Sequence, residues 1–303
     1  MSKSPKRKSV PSPRRLDHLV LPVASLDAAR RRYTELGFNV AADAQHPFGT
    51  ENCCIYFADG TYLEPLGIAQ RETCEAAAIK GNTFVARDQA YRFRNPGDGF
   101  SAIAFATDDA KSLHRDFVRH GNSAGAILNF KRQITDGGGK AQVISFSTAF
   151  AGDLRSPDLF FLGCQRNNVP DLDFARLRRH KNGVKAIREI VLSESNPSDF
   201  QYLLQDVVAQ RDQNSDSFGI EIKSGNANIA VLSPVGVNAW FGAQTASRER
   251  GLIARAIVFG VTNPARTREI LEAGKLAFRE IANRIIVDPA PGQGVILAFE
   301  SMK

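Results

Sequence analysis

Two short apolar stretches carry side chains that could do chemistry. Leu16-Asp17-His18-Leu19-Val20-Leu21-Pro22-Val23 sets an imidazole among aliphatics, and Tyr62-Leu63-Glu64-Pro65-Leu66 sets a carboxylate among them. Both read as strands, on which side chains alternate between faces. His18 is therefore expected to share a face with Leu16 and Val20, and Glu64 with Tyr62 and Leu66. An imidazole and a carboxylate placed in this way can be two ligands of a divalent metal ion. They can equally form a buried hydrogen-bonded pair without metal, the carboxylate then being available for acid–base work because apolar surroundings raise its pKa. A divalent ion needs three or more protein groups, or two plus substrate oxygens and water. His46 is the candidate third ligand or base, since its polar loop, His46-Pro47-Phe48-Gly49-Thr50-Glu51-Asn52, precedes a strand of the same unit. Asn52 and Tyr62 are candidate substrate-orienting groups, the alternative for each being hairpin formation or packing. His114 and His120 fall on a helix expected to cover the back of a sheet and read as surface residues, whereas His180 reads as structural.

These residues sit in a recurring order of elements. After the first strand, Ser25 can cap a helix over 26–36 that Gly37 ends. Strands are expected at 38–40, 53–57 and 61–66, with Asp59-Gly60 as a hairpin turn. A polar insertion with helical stretches, such as 71–80, occupies 69–98. The order then repeats: a strand over 100–106, a helix over 109–120 capped by Thr107 or Asp108, and strands near 127–135, 140–148 and 158–163. Gly137-Gly138-Gly139 reads as a hairpin turn, because it lacks the strand-to-helix context of a phosphate-binding loop. A third unit has a strand at 186–192, a helix over 197–210 capped at Asn196, and strands at 219–223, 229–232 and 238–241. A fourth has a strand at 253–261, a helix over 264–273 capped at Asn263, and strands at 284–287 and 294–299. Four copies of one strand–helix–three-strand unit thus start near residues 16, 99, 187 and 254, with the uneven spacing of a divergent duplication. The expected fold is α+β, with four βαβββ modules in two halves. The expected boundaries are a basic tail at 1–15, an N-terminal half at 16–166, a connector at 167–184 and a C-terminal half at 185–303.

Composition narrows the function classes. A chain of 303 residues with 43% hydrophobic content can bury a large core. Its formal charge of +7 is concentrated in Lys3, Lys6, Arg7, Lys8, Arg14 and Arg15, so the remainder carries about +1 and nucleic acid is not an expected partner of the body. The tail reads as a disordered arm; the alternative is contact with an anionic partner. No run approaches the roughly 18 apolar residues of a membrane span, and no secretory leader is expected. Cys53, Cys54, Cys74 and Cys164 form no CxxC pair, which suits a reduced, cytoplasmic protein and not a zinc finger. Self-association as a homodimer is compatible with the sequence.

Paired modules of this order resemble the vicinal-oxygen-chelate superfamily, and more narrowly the glyoxalase-like domain family. The matching pieces are Leu16-Asp17-His18-Leu19-Val20, His46-Pro47 with Gly49-Thr50 and Asn52, Asp59-Gly60-Thr61-Tyr62-Leu63-Glu64, and Cys164-Gln165 followed by His180-Lys181-Asn182-Gly183. The resemblance implies that each half is a cupped mixed sheet with helices on its outer face, with ligands on the first and last strands of a module. His18 and Glu64 would then be neighbours facing the cup and bind a divalent ion (Zn, Mn, Fe, Ni or Co), Glu64 and His46 being the catalytic candidates. The positions matching His18 and Glu64 fall near Ser101 and Phe160 or Phe161 in the second module, Glu189 and Ser233 in the third, and Ala256 and Ala298 in the fourth. Ser101 is therefore a candidate substrate contact, and the second half is expected to lack a metal set. The implied activity is that of a metal-dependent lyase, isomerase or dioxygenase-type enzyme acting on a small oxygen-rich substrate. The alternative is a non-catalytic protein of the same fold that binds or sequesters a small molecule.

Overall fold

The computed structural model describes residues 12–136, 138–169, 172–246 and 250–302. The first module contains β1 (Leu16–Pro22), α1 (Leu26–Glu35), β2 (Ala44–Gln45), β3 (Thr50–Asn52), β4 (Ile55–Tyr56) and β5 (Tyr62–Ile68). The insertion folds as α2 (Arg71–Ile79) and α3 (Thr83–Arg94). The second module contains β6 (Ala102–Ala106), α4 (Ala110–Arg119), β7 (Leu128–Thr135), β8 (Ala141–Ala151) and β9 (Phe160–Arg166). The third contains β10 (Val184–Ser193), a 3-10 turn (Pro197–Phe200), α5 (Gln201–Val208), β11 (Gln213–Ser215), β12 (Gly219–Lys223) and β13 (Asn228–Leu232), followed by α6 (Pro234–Phe241). The fourth contains β14 (Ile253–Val261), α7 (Pro264–Ala273), β15 (Arg279–Ile281), β16 (Arg284–Val287) and β17 (Ile296–Ser301).

The two sheets share one topology. The first has the order β2-β3-β5-β1-β6-β9-β8-β7 with β4 also paired to β5, and the second has the order β11-β12-β13-β10-β14-β17-β16-β15. The opening strands of two modules pair antiparallel at the centre of each sheet, β1 with β6 and β10 with β14. Each is flanked by the parallel closing strand of its own module. One face of each sheet carries the helices α1, α4, α5 and α7, and these faces turn toward one another. A single hydrophobic cluster runs through both, from Leu19, Leu21, Tyr33 and Phe105 to Ile190, Leu192, Phe259 and Phe299. Phe38 lies at the seam, 5.4 Å from the Phe259 ring and 6.2 Å from the Phe299 ring. These four helices thus lie between the two halves, and the opposite face of each sheet is its cup, covered by α2 and α3 in the first half and by α6 in the second.

Several local expectations are corrected. Residues 38–40 form no strand, the strand expected over 53–57 is confined to Ile55–Tyr56, and the end of the polar loop becomes β3. Asp109, and neither Thr107 nor Asp108, caps α4, with its side chain accepting from Ser112 N–H. The helix expected over 197–210 is a 3-10 turn running into α5, which stops at Ala209 in the left-handed conformation. Residues 238–241 are helical: Ser233 accepts from Gly236 N–H, Pro234 takes the first turn, and left-handed Gly242 ends the helix. Ser233 is therefore a cap and not a cup position; Ala230 occupies the register equivalent to Glu64. Arg14 is docked and not free, donating to the Asp206 and Val207 carbonyls of the other half. Gly137 and Pro170 lie outside the described residues.

Candidate active site

The cup of the first sheet holds the polar cluster. β1 and β5 run parallel with His18 opposite Tyr62 and Val20 opposite Glu64, so alternation brings His18, Tyr62 and Glu64 to one face. The pairing of β1 with β6 shifts between Leu16 and His18, which leaves an extra residue, Asp17, on the β1 side. Such a bulge re-aims the side chains around it. Leu16 consequently packs in the inter-sheet core while Val20 packs in the cup, so His18 does not share a face with Leu16 as strict alternation predicts.

Glu64 is the hub. His18 Nε2 stands 3.5 Å from Glu64 Oε2, and His46 Nε2 stands 3.5 Å from Glu64 Oε1. Asn52 Nδ2 donates to Glu64 Oε1 at 2.6 Å, and Arg132 Nη1 donates to Asn52 Oδ1 at 3.4 Å. Arginine can only donate, and this fixes the orientation of the Asn52 amide. All five side chains, with Asp17, are buried.

Each histidine is held from behind. His18 Nδ1 lies 2.9 Å from Asp17 Oδ1, and Asp17 is gripped by both terminal nitrogens of Arg166 at 2.5 and 2.7 Å. Burial pushes the Asp17 carboxyl up, but Arg166 and the His18 contact outweigh it and hold it at about 2. An ionised carboxylate only accepts, so Nδ1 carries a proton and Nε2 is the nitrogen that faces Glu64. His46 Nδ1 lies 2.9 Å from Thr50 Oγ1, and its ring stacks on Phe48 at 4.9 Å. Burial, reinforced by Arg132 and His18, holds His46 well below its ordinary pKa, so it is neutral. Two imidazole nitrogens and one carboxylate thus converge, each imidazole having its far nitrogen engaged by the polypeptide. That backing is characteristic of metal-binding histidines.

Among the described residues another compact donor group exists, Asp17, His18 and Cys164. It is the poorer candidate, because Asp17 already pairs with Arg166 through both oxygens and burial pushes the Cys164 thiol up to about 12. A metal ligand must be a thiolate.

Two chambers open onto the cluster. The inner one, about 40 Å³, is lined by His18, His46, Glu64 and Arg132 together with Phe48 and Phe130. At about 10–15 Å³ per water-sized guest it admits an ion and a few oxygen atoms, but not the body of a substrate. The outer one, about 320 Å³, shares Tyr62, Arg132 and Phe146 with it and is also walled by Tyr56, Phe174 and Arg178. Tyr62 stacks on His18 with ring centroids 4.5 Å apart.

The expected site residues therefore separate. His18, His46, Glu64 and Asn52 meet, and Tyr62 walls both chambers. Ser101 does not line them: it is buried one residue before β6, in register with Ile103 and Phe105 of the inter-sheet core. His180 lies at the seam, accepting from Asn39 N–H and donating to the Tyr56 carbonyl. Half-exposed His120 pairs with Asp206 across the halves. Sequence reasoning missed Asp17, Arg166, Thr50 and Arg132. Only Arg132 left a trace: Leu128, Phe130, Arg132 and Ile134 alternate on one face of β7, and a lone charge on an apolar face asks for a function.

The second cup differs. Val191, Ala256, Val258, Ile296 and Ala298 make it apolar where the first cup has His18 and Glu64, while Glu189, at the position of His18, is paired with Arg284 at 2.8 Å.

Two mixed sheets of paired βαβββ modules, one cup carrying a His–His–Glu cluster, define a cup-site fold of the vicinal-oxygen-chelate type. Residues 16–208 match the model of the glyoxalase-like domain, and the chain belongs to that family. No curated protein matches the sequence. Among solved structures, it is similar to a hypothetical protein from Staphylococcus aureus (TM-score 0.64, 12% identity, covering 95% of this chain and 99% of that one). It is also similar to a mutant of 4-hydroxymandelate synthase from Streptomyces coelicolor (TM-score 0.63, 14% identity, 96% and 93% covered). A third is the Mn(II)-bound glyoxalase from Novosphingobium aromaticivorans (TM-score 0.55, 11% identity, 95% and 83% covered). At these identities the likeness is one of fold. Among the described residues no helix is long and apolar enough to cross a membrane.

Proposed function

We propose that this protein is a metal-dependent enzyme acting on a small oxygen-bearing substrate, with His18, His46 and Glu64 as the ligands. The observation that carries the reading is the approach of His18 Nε2 and His46 Nε2 to opposite oxygens of one buried carboxylate, 3.5 Å each. Bare nitrogen lone pairs aimed at an anion are favourable only with a cation between them, a proton or a metal ion. Two imidazoles and one carboxylate, with the remaining positions open, form the donor set of non-haem iron(II) oxygenases. That donor set favours the dioxygenase-type reading over the lyase or isomerase one, in which the same residues would serve a glyoxalase-type reaction. When bound, the ion would act as a Lewis acid, holding substrate oxygens and offsetting negative charge that develops on them.

The protein's own groups do the rest. Asn52 N–H ties down Glu64 Oε1, so the carboxylate keeps one orientation. Asp17, itself anchored by Arg166, keeps the Nδ1 proton on His18. The Phe48, Phe84, Phe130 and Phe150 side chains keep bulk water from the inner chamber, which strengthens every charge interaction in it. Four buried free cysteines support the expectation of a reducing, cytoplasmic setting.

The test is elemental analysis of the purified protein beside His18→Ala, His46→Ala and Glu64→Ala. Near one equivalent of a first-row divalent metal in wild type, lost from all three variants, is the expected result, and its identity separates iron-dependent oxygenation from glyoxalase-type chemistry. A wild type that neither holds nor takes up Zn, Mn, Fe, Co or Ni would overturn the reading.

A further inference from the structure

Arg132 is a buried guanidinium that no carboxylate touches among the described residues; Glu64, the nearest acid of the cluster, reaches it only through the Asn52 amide. Arg132 reaches from β7 across the mouth of the first cup and is only 8% exposed. Its close partners are neutral: the Asn52 amide oxygen at 3.4 Å and the Cys54 thiol, which burial pushes up to about 12. Its Nε is buried with no hydrogen-bond partner, and among the described residues no carboxylate lies within ion-pair distance of it. Leaving a buried charge unpaired is costly, which is why buried cations normally carry an anion or a full set of acceptors.

The surroundings say what would complete it. Arg132 is common to the inner and outer chambers, and among the described residues no acidic side chain lines the outer one. Arg166 on that wall is already neutralised by Asp17, whereas Arg178 has a second buried Nε without a partner. The remaining wall includes flat rings: Tyr56 lies 5.4 Å from Tyr62 and 4.8 Å from Phe174, and Phe146 lies beneath the Arg132 guanidinium at 5.8 Å. The volume, about 320 Å³, suits a ligand of roughly one ring.

We propose that the outer chamber binds a small aromatic carboxylate, its anionic group paired in a fork with Arg132 and its ring lying against Tyr62 and Phe146. This gives the substrate class of the site read above and rests on that reading for its link to catalysis. The binding itself needs no metal. A carboxylate on Arg132 would set the ligand body at the threshold of the inner chamber, with its far atoms on the side of His18 and Glu64.

The test is calorimetric titration of the full-length protein with benzoate, benzamide and phenylphosphonate, both as purified and after chelator treatment. Benzoate is expected to bind both forms. Benzamide, the neutral isostere, should bind about 10–100-fold more weakly, the value of a charge-assisted pair. Arg132→Gln should lose benzoate affinity by the same factor, and Arg132→Lys should recover part of it. If Arg132→Gln does not fold, the benzoate–benzamide ratio on wild type decides alone. Equal binding of benzoate and benzamide, undiminished benzoate affinity in a folded Arg132→Gln, phenylphosphonate binding in place of benzoate, or no benzoate binding at millimolar concentration would each overturn the proposal. Failure of the metal reading shows separately, as wild type that holds no ion while the chelator-treated arm still binds benzoate.

Discussion

Lowering the pH should loosen the seam between the halves through His180. Its ring is neutral by construction: Asn39 N–H donates to Nδ1 at 3.0 Å, and Nε2 donates to the Tyr56 carbonyl at 3.0 Å. Protonating Nδ1 destroys the first bond and places a charge against the Phe38 and Phe57 rings, at 5.3 and 5.4 Å. Burial, aided by Lys185 and opposed by the bond to Tyr56, pushes His180 down from 6.5 to about 4. The unfolded chain therefore binds a proton that the folded chain refuses. The stability tied to this residue is complete above pH 6.5 and is lost as pH falls from there to about 4. At about 1.4 kcal/mol per pH unit the whole window is worth about 3 kcal/mol. Denaturant unfolding of wild type and His180→Asn at pH 7.5 and pH 4 measures it. The variant should be the less stable protein at pH 7.5, and the gap should close by about 3 kcal/mol at pH 4. Parallel pH profiles, or a His180 resonance titrating near its ordinary value, would refute the reasoning.

Two further outcomes are expected. Asp17→Asn removes the charge that orders His18 and neutralises Arg166, so metal affinity should fall about 10–100-fold. Stability should fall by about 2 kcal/mol, less than for a fully buried pair because the Arg166 side chain is 30% exposed; a binding isotherm and a melt check both, and unchanged metal affinity would deny Asp17 its role. Gly49→Ala should cost about 1–3 kcal/mol and weaken the site, as read by denaturation and metal retention. Gly49 has φ +93°, and an added Cβ would meet the Gln70 carbonyl at 2.6 Å, pushing on the turn that carries His46.

The parts of this fold that were legible are those set by local chemistry. Ser25, Gly37 and Gly60 punctuate the first module as caps and turns do, and the apolar runs at 16–22, 102–106, 184–193 and 253–261 became the four central strands. Long-range pairing decided the rest. Pro65 cannot donate to a ladder, and the neighbouring edge breaks at Cys53-Cys54, between the β3 and β4 pairings, beside it. That break shortened a strand which hydrophobicity alone would extend over 53–57. Alternation on β1 placed His18 correctly against Glu64 but misplaced Leu16, because a bulge depends on the register of β6, 80-odd residues away. Thr50, Asp17 and Arg166 act on the site only through their partners, and no spacing in the chain announces partners that meet across a sheet.

The two cups differ in how their buried polar groups are partnered. Both sheets have the same strand order, so backbone topology alone would support a site in either. What differs is the cover and the polar accounting. Over the first cup, α3 contributes Phe84 and Val85, and the His46 turn inserts a second imidazole beside Phe48. Over the second, α6 contributes Phe241 to a wholly apolar cluster, and the one carboxylate in the His18 position is spent on Arg284, which also binds Glu300. Buried polar groups persist where partners or a ligand complete them. In the second cup the Glu189–Arg284–Glu300 network completes itself. In the first, the two imidazole nitrogens facing Glu64 and the Arg132 guanidinium lack such a closed network, and these are the groups that the proposed metal ion and carboxylate would complete.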